Sequence, residues 1–186
     1  MASGATPARV DAVRNRERIL TAARELFAEA GIGGTSMNDV ARRAGVGPGT
    51  LWRHFANQEE LVAVVVGESL DRLVALADEL VGALDGGDPL RAWTSALVGH
   101  IMGLRGFAAS FATADAASLL GERCRDAEAA AARLVEHARA SGAARADLTG
   151  PELIRMATAV AWTAENAGDG SAERLLTLAF DGMRPR

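Results

Sequence analysis

Apolar residues return every three to four positions along most of this chain, the repeat of a helix with one buried face. Ile19, Leu20, Ala23, Leu26, Phe27 and Ala30 share such a face, which stops at Gly31, Gly33 and Gly34. Ser36 with Asp39 reads as a capping box built on the shorter acid, and Met37, Val40, Ala41 and Ala44 turn inward from the short helix it starts. Gly45 ends that helix and Val46 packs inward. Gly47-Pro48 then opens a third, since proline at a first helical position loses no hydrogen bond. Asn57 with Glu60 caps a fourth. Its apolar repeat runs through Leu61, Val65, Val66, Leu70, Leu73 and Leu80 to about Leu84, where Asp85-Gly86-Gly87-Asp88-Pro89 breaks it. Further helical segments are predicted from Leu90 to Leu104, around Phe107 and Phe111, from Leu120 to Ala138, from Pro151 to Ala164 and from Leu175 to Phe180. Nothing alternates like a strand, so the pattern predicts an all-α fold of about nine helices.

Composition narrows the class. Hydrophobic residues make up 49% and charged residues 24% of 186, a balance that suits a folded globular chain. Alanine, the best helix former, is about a fifth of the residues. No uninterrupted apolar run reaches membrane-spanning length, and no apolar stretch follows Met1 as in a secretory leader, so no membrane partner and a cytoplasmic location are expected. Cys124 is a single thiol with no activating base beside it in sequence, which argues against an internal disulfide, a thiolate metal site or a redox sensor. His54, His100 and His137 are far apart. With no Gly-rich phosphate loop and no nucleophile motif, we expect no enzyme, no catalytic residue, no metal and no cofactor.

Charge is unevenly spread. Residues 1–55 hold eight arginines against five carboxylates, the rest twelve against nineteen, and no lysine occurs. A basic front and an acidic back direct the search for a phosphate-bearing partner to the front. There the short helix, the Ala44-Gly45-Val46 elbow and the helix after it have the spacing of a helix-turn-helix, whose second helix enters the major groove of double-stranded DNA.

The residues around this elbow are similar to the DNA-binding domain of TetR-family transcriptional regulators. The likeness runs through Arg14-Asn15-Arg16-Glu17-Arg18-Ile19-Leu20, Ala22, Ala23, Leu26, Phe27 and Gly31. It continues through Thr35-Ser36, Val40-Ala41-Arg42-Arg43-Ala44-Gly45-Val46 and Gly49-Thr50-Leu51-Trp52-Arg53-His54-Phe55, and covers about residues 14–61 without a gap. Arg91-Ala92-Trp93 and the terminal Asp181-Gly182-Met183-Arg184-Pro185 resemble a subgroup of such regulators. The likeness implies an arm over 1–13, a DNA-binding unit of three helices over 14–56, and a helical ligand-binding and dimerisation unit over 57–186. It also implies a homodimer whose last two helices form a four-helix bundle with their mates. Leu153, Ile154, Ala157, Ala161, Leu175, Leu176, Ala179 and Met183 are expected to supply its apolar contacts.

Physics and the resemblance together assign roles. Thr35 and Ser36, at a helix N-terminus, suit a phosphate, although either is equally explained as a cap. Gly47, Pro48, Gly49 and Thr50 let the recognition helix approach bases closely. Trp52 stands where the family usually has Tyr and would press on sugar and phosphate, the competing reading being a core position. Arg53 reaches a guanine or a phosphate, and His54 resembles the family's phosphate-contacting His. Arg42, Arg43, Arg14 and Arg16 would add salt-dependent affinity. Leu51 and Phe55 are read as core. Gly47 replaces the common Ser, and Gln58, a further expected DNA contact, replaces the common Lys, so binding weaker and less salt-sensitive than the family norm is expected.

In the back two-thirds, Trp93, Leu97, His100, Ile101, Phe107, Phe111, Trp162 and Asn166 are candidates to line a small-molecule site, against the ordinary reading of each apolar member as core. The resulting expectation is a homodimeric repressor on a palindromic operator, released by a small, largely apolar effector through the long fourth helix. The alternative is a ligand-independent DNA-binding dimer controlled by a protein partner.

Overall fold

A computed structural model describes residues 7–82, 87–104, 119–167 and 170–185. Among them lie eight helices: α1 (Pro7–Ala30), α2 (Met37–Ala44), α3 (Pro48–His54), α4 (Gln58–Gly82), α5 (Pro89–Met102), α6 (Leu119–Ala140), α7 (Gly150–Ala167) and α8 (Ala172–Met183). The helical segment expected around Phe107 and Phe111 lies outside the described residues. The described elements match the expected order, with one difference of extent. Helix α1 begins at Pro7, inside the stretch read as an arm. After Pro7 nothing up to Ala30 breaks a helix, and good helix formers carry it forward without help from packing: Val10 and Val13 are exposed.

Ser36 caps α2 as its sequence predicts. Its hydroxyl accepts from the Asp39 N–H at 3.2 Å, and the Asp39 carboxylate accepts from the Ser36 N–H at 3.2 Å. At the elbow Gly45 has φ 63°, and its N–H and that of Val46 return to carbonyls of Arg42 and Ala41. This closing turn suits glycine, because a side chain in the left-handed region costs about 1–3 kcal/mol. Space matters as well, since a Cβ on Gly45 would sit 2.5 Å from the Arg18 guanidinium. That guanidinium donates to the Gly45 carbonyl at 3.2 Å and fixes the elbow against α1. Ile19, Ala23 and Phe27 of α1, Val40 and Ala41 of α2, and Leu51 and Phe55 around α3 are buried together.

One apolar core continues from α1 into α8. Helix α4 lies along α6 and also touches α1 and α5; α7 packs on α5, α6 and α8. The start of α7 comes so close to α6 that a Cβ on Gly150 would stand 2.7 Å from the Ala132 nitrogen. The two signatures of the back unit act as fasteners. Arg91 donates to Glu173 at 2.9 Å and Thr177 at 3.2 Å and lies over the Phe180 ring, tying α5 to α8. The Trp93 indole donates to the Leu73 carbonyl at 2.8 Å, tying α5 to α4. At the other signature, the Met183 carbonyl accepts from the Arg145 N–H at 2.8 Å. Leu153, Ile154, Ala157, Ala161, Leu176 and Met183, expected on a dimer face, are instead buried in the chain's own core, and Leu175 and Ala179 are partly buried against it. The periodicity marks the most apolar face, and within one protomer that face turns inward.

Candidate nucleic-acid interface

Helix α3 is held by one side and offers the other. Leu51 (0% exposed) and Phe55 (1%) anchor it, while Trp52 is 48% exposed, which excludes the core reading of the indole. Gly47, Pro48, Gly49 and Arg53 are exposed as well; Thr50 and His54 are half-buried. A Cβ at Gly47 or Gly49 would meet nothing within 4 Å, so the chain's own packing requires neither glycine. Arg53 folds along its helix, donating to the Gly49 carbonyl at 3.3 Å and the Thr50 hydroxyl at 3.2 Å. Thr50, Trp52, Arg53 and His54 thus come together on one short helix beside open backbone.

Other candidates have structural duties. Thr35 is buried, and its hydroxyl donates to the Gly31 carbonyl at 2.8 Å and the Leu26 carbonyl at 3.3 Å, so it is not offered to a phosphate. Ser36 is exposed, but its hydroxyl is engaged with Asp39, whose carboxylate occupies the front of α2. The Ser36 hydroxyl and then Arg42 hold that carboxyl below its ordinary pKa. Arg43 turns back to α1, gripping Glu29 at 2.7 and 3.0 Å and Glu25 at 3.2 Å. Bonding to Arg43 lowers the Glu29 pKa. Arg42 pairs with Asp39, and Arg16 stacks over the Phe55 ring at 5.2 Å. The Gln58 amide donates to the carbonyls of Ile32 at 3.0 Å and Thr35 at 2.9 Å, clamping the α1–α2 loop to the start of α4. Its donors are spent within the chain, a duty the sequence reading missed because the partners lie more than twenty residues away. Among the described residues, no carboxylate lies within ion-pair distance of Arg14, Arg18 or Arg53.

Two family models match the chain. One, of bacterial regulatory proteins of the tetR family, covers residues 19–65. The other, the C-terminal domain of SbtR-like transcriptional regulators, covers residues 85–185, more than half the chain. The chain belongs to the TetR family of transcriptional regulators. A TetR transcriptional regulator from Streptomyces coelicolor is 31% identical with a TM-score of 0.66, the match covering 91% of this chain and 98% of that one. A TetR regulatory protein from Mycobacterium vanbaalenii is 29% identical with a TM-score of 0.62, over 96% and 99% of the two chains. FadR from Bacillus subtilis, solved with stearoyl-CoA, shares the fold with a TM-score of 0.68 at 16% identity, over 90% and 99%. An HTH-type transcriptional regulator of Staphylococcus aureus is 41% identical over 66 residues, 36% of each chain, so the match spans about a third of that curated relative. As a TetR-family member the protein is a DNA-binding transcriptional regulator and not an enzyme. No helix among the described residues is long and apolar enough to cross a membrane.

Among the described residues, the ligand candidates of this TetR-family chain occupy different places. Trp93, Leu97 and Ile101 are 0–2% exposed and belong to the buried core. Trp162 is 55% exposed and Asn166 is exposed, its amide donating to the Trp162 carbonyl at 2.7 Å; both stand on the outer side of α7. The helical period set them near the apolar face but could not tell its edge from its centre. Phe107 and Phe111 lie outside the described residues. His100 does line a cleft, of about 240 Å³, with Arg24, Val65, Ser69, Arg72, Gly99, Gly103 and Leu104. Burial, then the charge of Arg72, pushes its imidazole down to about 4, so it is neutral at physiological pH. Arg24, Ser69 and Arg72 come from α1 and α4, and no local pattern joins them to His100. Burial pushes the Cys124 thiol up to about 11, the opposite of a reactive thiol.

Proposed function

We propose that this TetR-family regulator is a cytoplasmic homodimeric repressor that reads a palindromic operator through α3 and is released by a small, largely apolar effector. Residues 14–56 form the DNA-binding unit, and residues 57–186 sense the effector and dimerise. The observation that carries the reading is the division of α3 into a buried side, Leu51, and an exposed side, Trp52 and Arg53, beside two glycines whose openness serves no internal contact. Open backbone there lets α3 sit deep in a major groove. Trp52 then presses on sugar and phosphate with its indole N–H as a donor. Arg53 needs only to exchange two weak internal bonds for a guanine edge or a phosphate.

One such helix reads few base pairs, and two across a symmetry axis read half-sites about 34 Å apart or a multiple of it. Support for the dimer comes from Trp162 on α7 and Leu178 on α8, 55% and 54% exposed, large apolar side chains that a second copy would cover. Helix α4 is the lever: Gln58 fastens its front to the head, and the Trp93 indole fastens its middle to α5. An effector that prefers one spacing of the two heads shifts the population; one with equal affinity for both shifts nothing. That FadR, of the same fold, was solved with stearoyl-CoA supports a small-molecule effector.

The second reading, a dimer controlled by a protein partner, is favoured by the solid packing around Trp93, Leu97 and Ile101. Selection of bound duplexes from random DNA tests the operator claim. A symmetric pair of half-sites is expected; enrichment of a single unpaired half-site, or none, contradicts it.

A further inference from the structure

The joint between the head and the rest of the chain carries the cleft of about 240 Å³ lined by Arg24, Val65, Ser69, Arg72, His100 and Leu104, together with Gly99 and Gly103. At about 30 Å³ per water, it has room for roughly eight non-hydrogen atoms. Its charge is simple. Arg24 is paired with Glu68, so these two cancel. Arg72 donates to the Ser69 hydroxyl at 3.1 Å, and among the described residues no carboxylate lies within ion-pair distance of it. His100, held at a pKa of about 4, adds no charge near neutrality. Among the described lining residues one positive charge therefore remains, on a guanidinium whose planar fork matches a carboxylate. Val65 and Leu104 are buried apolar residues on the same cleft, which suits a short hydrocarbon tail. A phosphate dianion would carry one charge too many and leave these two facing oxygen.

We propose that this cleft binds a small aliphatic monocarboxylate, its carboxylate on Arg72 and Ser69 and its tail against Val65 and Leu104. The inference deepens the effector-responsive reading and rests on it. The class of effector is then an anion with an apolar body, and the place it acts is the joint. Arg24 comes from α1, whereas the other lining residues come from α4, α5 and the turn after α5, so the cleft lies where the reading head meets the lever. It also adds a second anion near Arg24, in competition with Glu68. Occupancy thus acts on the contact through which α4 meets α1.

The test uses the full chain and hexanoate, with hexanamide as its uncharged counterpart and inorganic phosphate as a third arm, measured by isothermal titration calorimetry without DNA. Hexanoate is expected to bind at least tenfold more tightly than hexanamide or phosphate. Arg72→Gln is expected to weaken it tenfold or more. Gly99→Leu blocks the cleft, and a Cβ there meets nothing within 4 Å, so the fold can be checked by circular dichroism. Equal binding of hexanamide, tighter binding of phosphate, binding indifferent to both substitutions, or no heat at millimolar hexanoate overturns the proposal. Retardation of a selected operator, with and without hexanoate, is read separately. A chain that binds hexanoate but no DNA fails the regulator reading, not the site. One that binds DNA but not hexanoate fails the site alone.

Discussion

At the scale of single residues, the side chains that build the head are distinct from those that face outward. Gly49 faces open space, so Gly49→Leu is expected to change stability by no more than about 0.5 kcal/mol, yet to block the groove and weaken operator binding by about tenfold or more. Paired chemical denaturation and fluorescence anisotropy check this; unchanged DNA affinity would remove Gly49 from the interface. Gln58→Ala behaves in the opposite way. Without DNA it is expected to lose about 1 kcal/mol, because two carbonyls of the α1–α2 loop lose their donor. His100 titrates at about 4 in the folded chain against an ordinary 6.5. The unfolded chain takes up its proton first on acidification. This residue therefore costs nothing above about pH 6.5 and removes about 3 kcal/mol as pH falls to about 4. Denaturation midpoints at pH 7.5 and 4.5 are expected to converge in His100→Gln. Much of this scale is legible in sequence: Ser36 and Asp39 form a capping box three residues apart, Gly45 ends a helix, and Leu51 and Phe55 fall four apart on one apolar face. Arg43 and Gln58 read as DNA contacts in sequence because their partners, carboxylates and carbonyls brought over by folding, leave no local mark, whereas Thr35 reads so because a bond to the Gly31 carbonyl four residues back looks no different in sequence from a free cap.

At the scale of elements, helix order and most boundaries follow from the apolar period and its breakers. The early start of α1 is an exception with a plain cause: low periodicity reads as an arm in sequence, whereas nothing after Pro7 opposes a helix. The apolar face of α7 and α8 is instructive. The period in α7 and α8 marks Leu153, Ala157, Ala161 and Leu176, and these satisfy the protomer's own core. The large apolar side chains left exposed there, Trp162 and Leu178, interrupt the polar side and look incidental in the sequence. Close approach of helices is equally invisible to periodicity. Gly150→Ala puts a methyl against the Ala132 backbone, and a loss of about 1–3 kcal/mol is expected in a thermal melt, with α7 displaced from α6. A melt equal to wild type would mean the two helices separate at no cost.

At the scale of the whole molecule, one apolar core continues from α1 to α8, and α1 meets α4 within it. In the proposed dimer, a shift of the heads relative to each other would change the half-site spacing. Trp162→Arg together with Leu178→Arg is expected to give monomers in sedimentation velocity and to weaken operator binding, while the isolated protomer keeps its helical circular dichroism. A dimer that survives both substitutions would move the interface elsewhere. The central claim, that α3 is the surface that reads duplex DNA, is tested most directly by gel retardation of the selected operator with Trp52→Ala/Arg53→Ala. Both side chains are exposed, so the fold is expected to survive and retardation to be lost. Retardation at wild-type protein concentration would contradict the account.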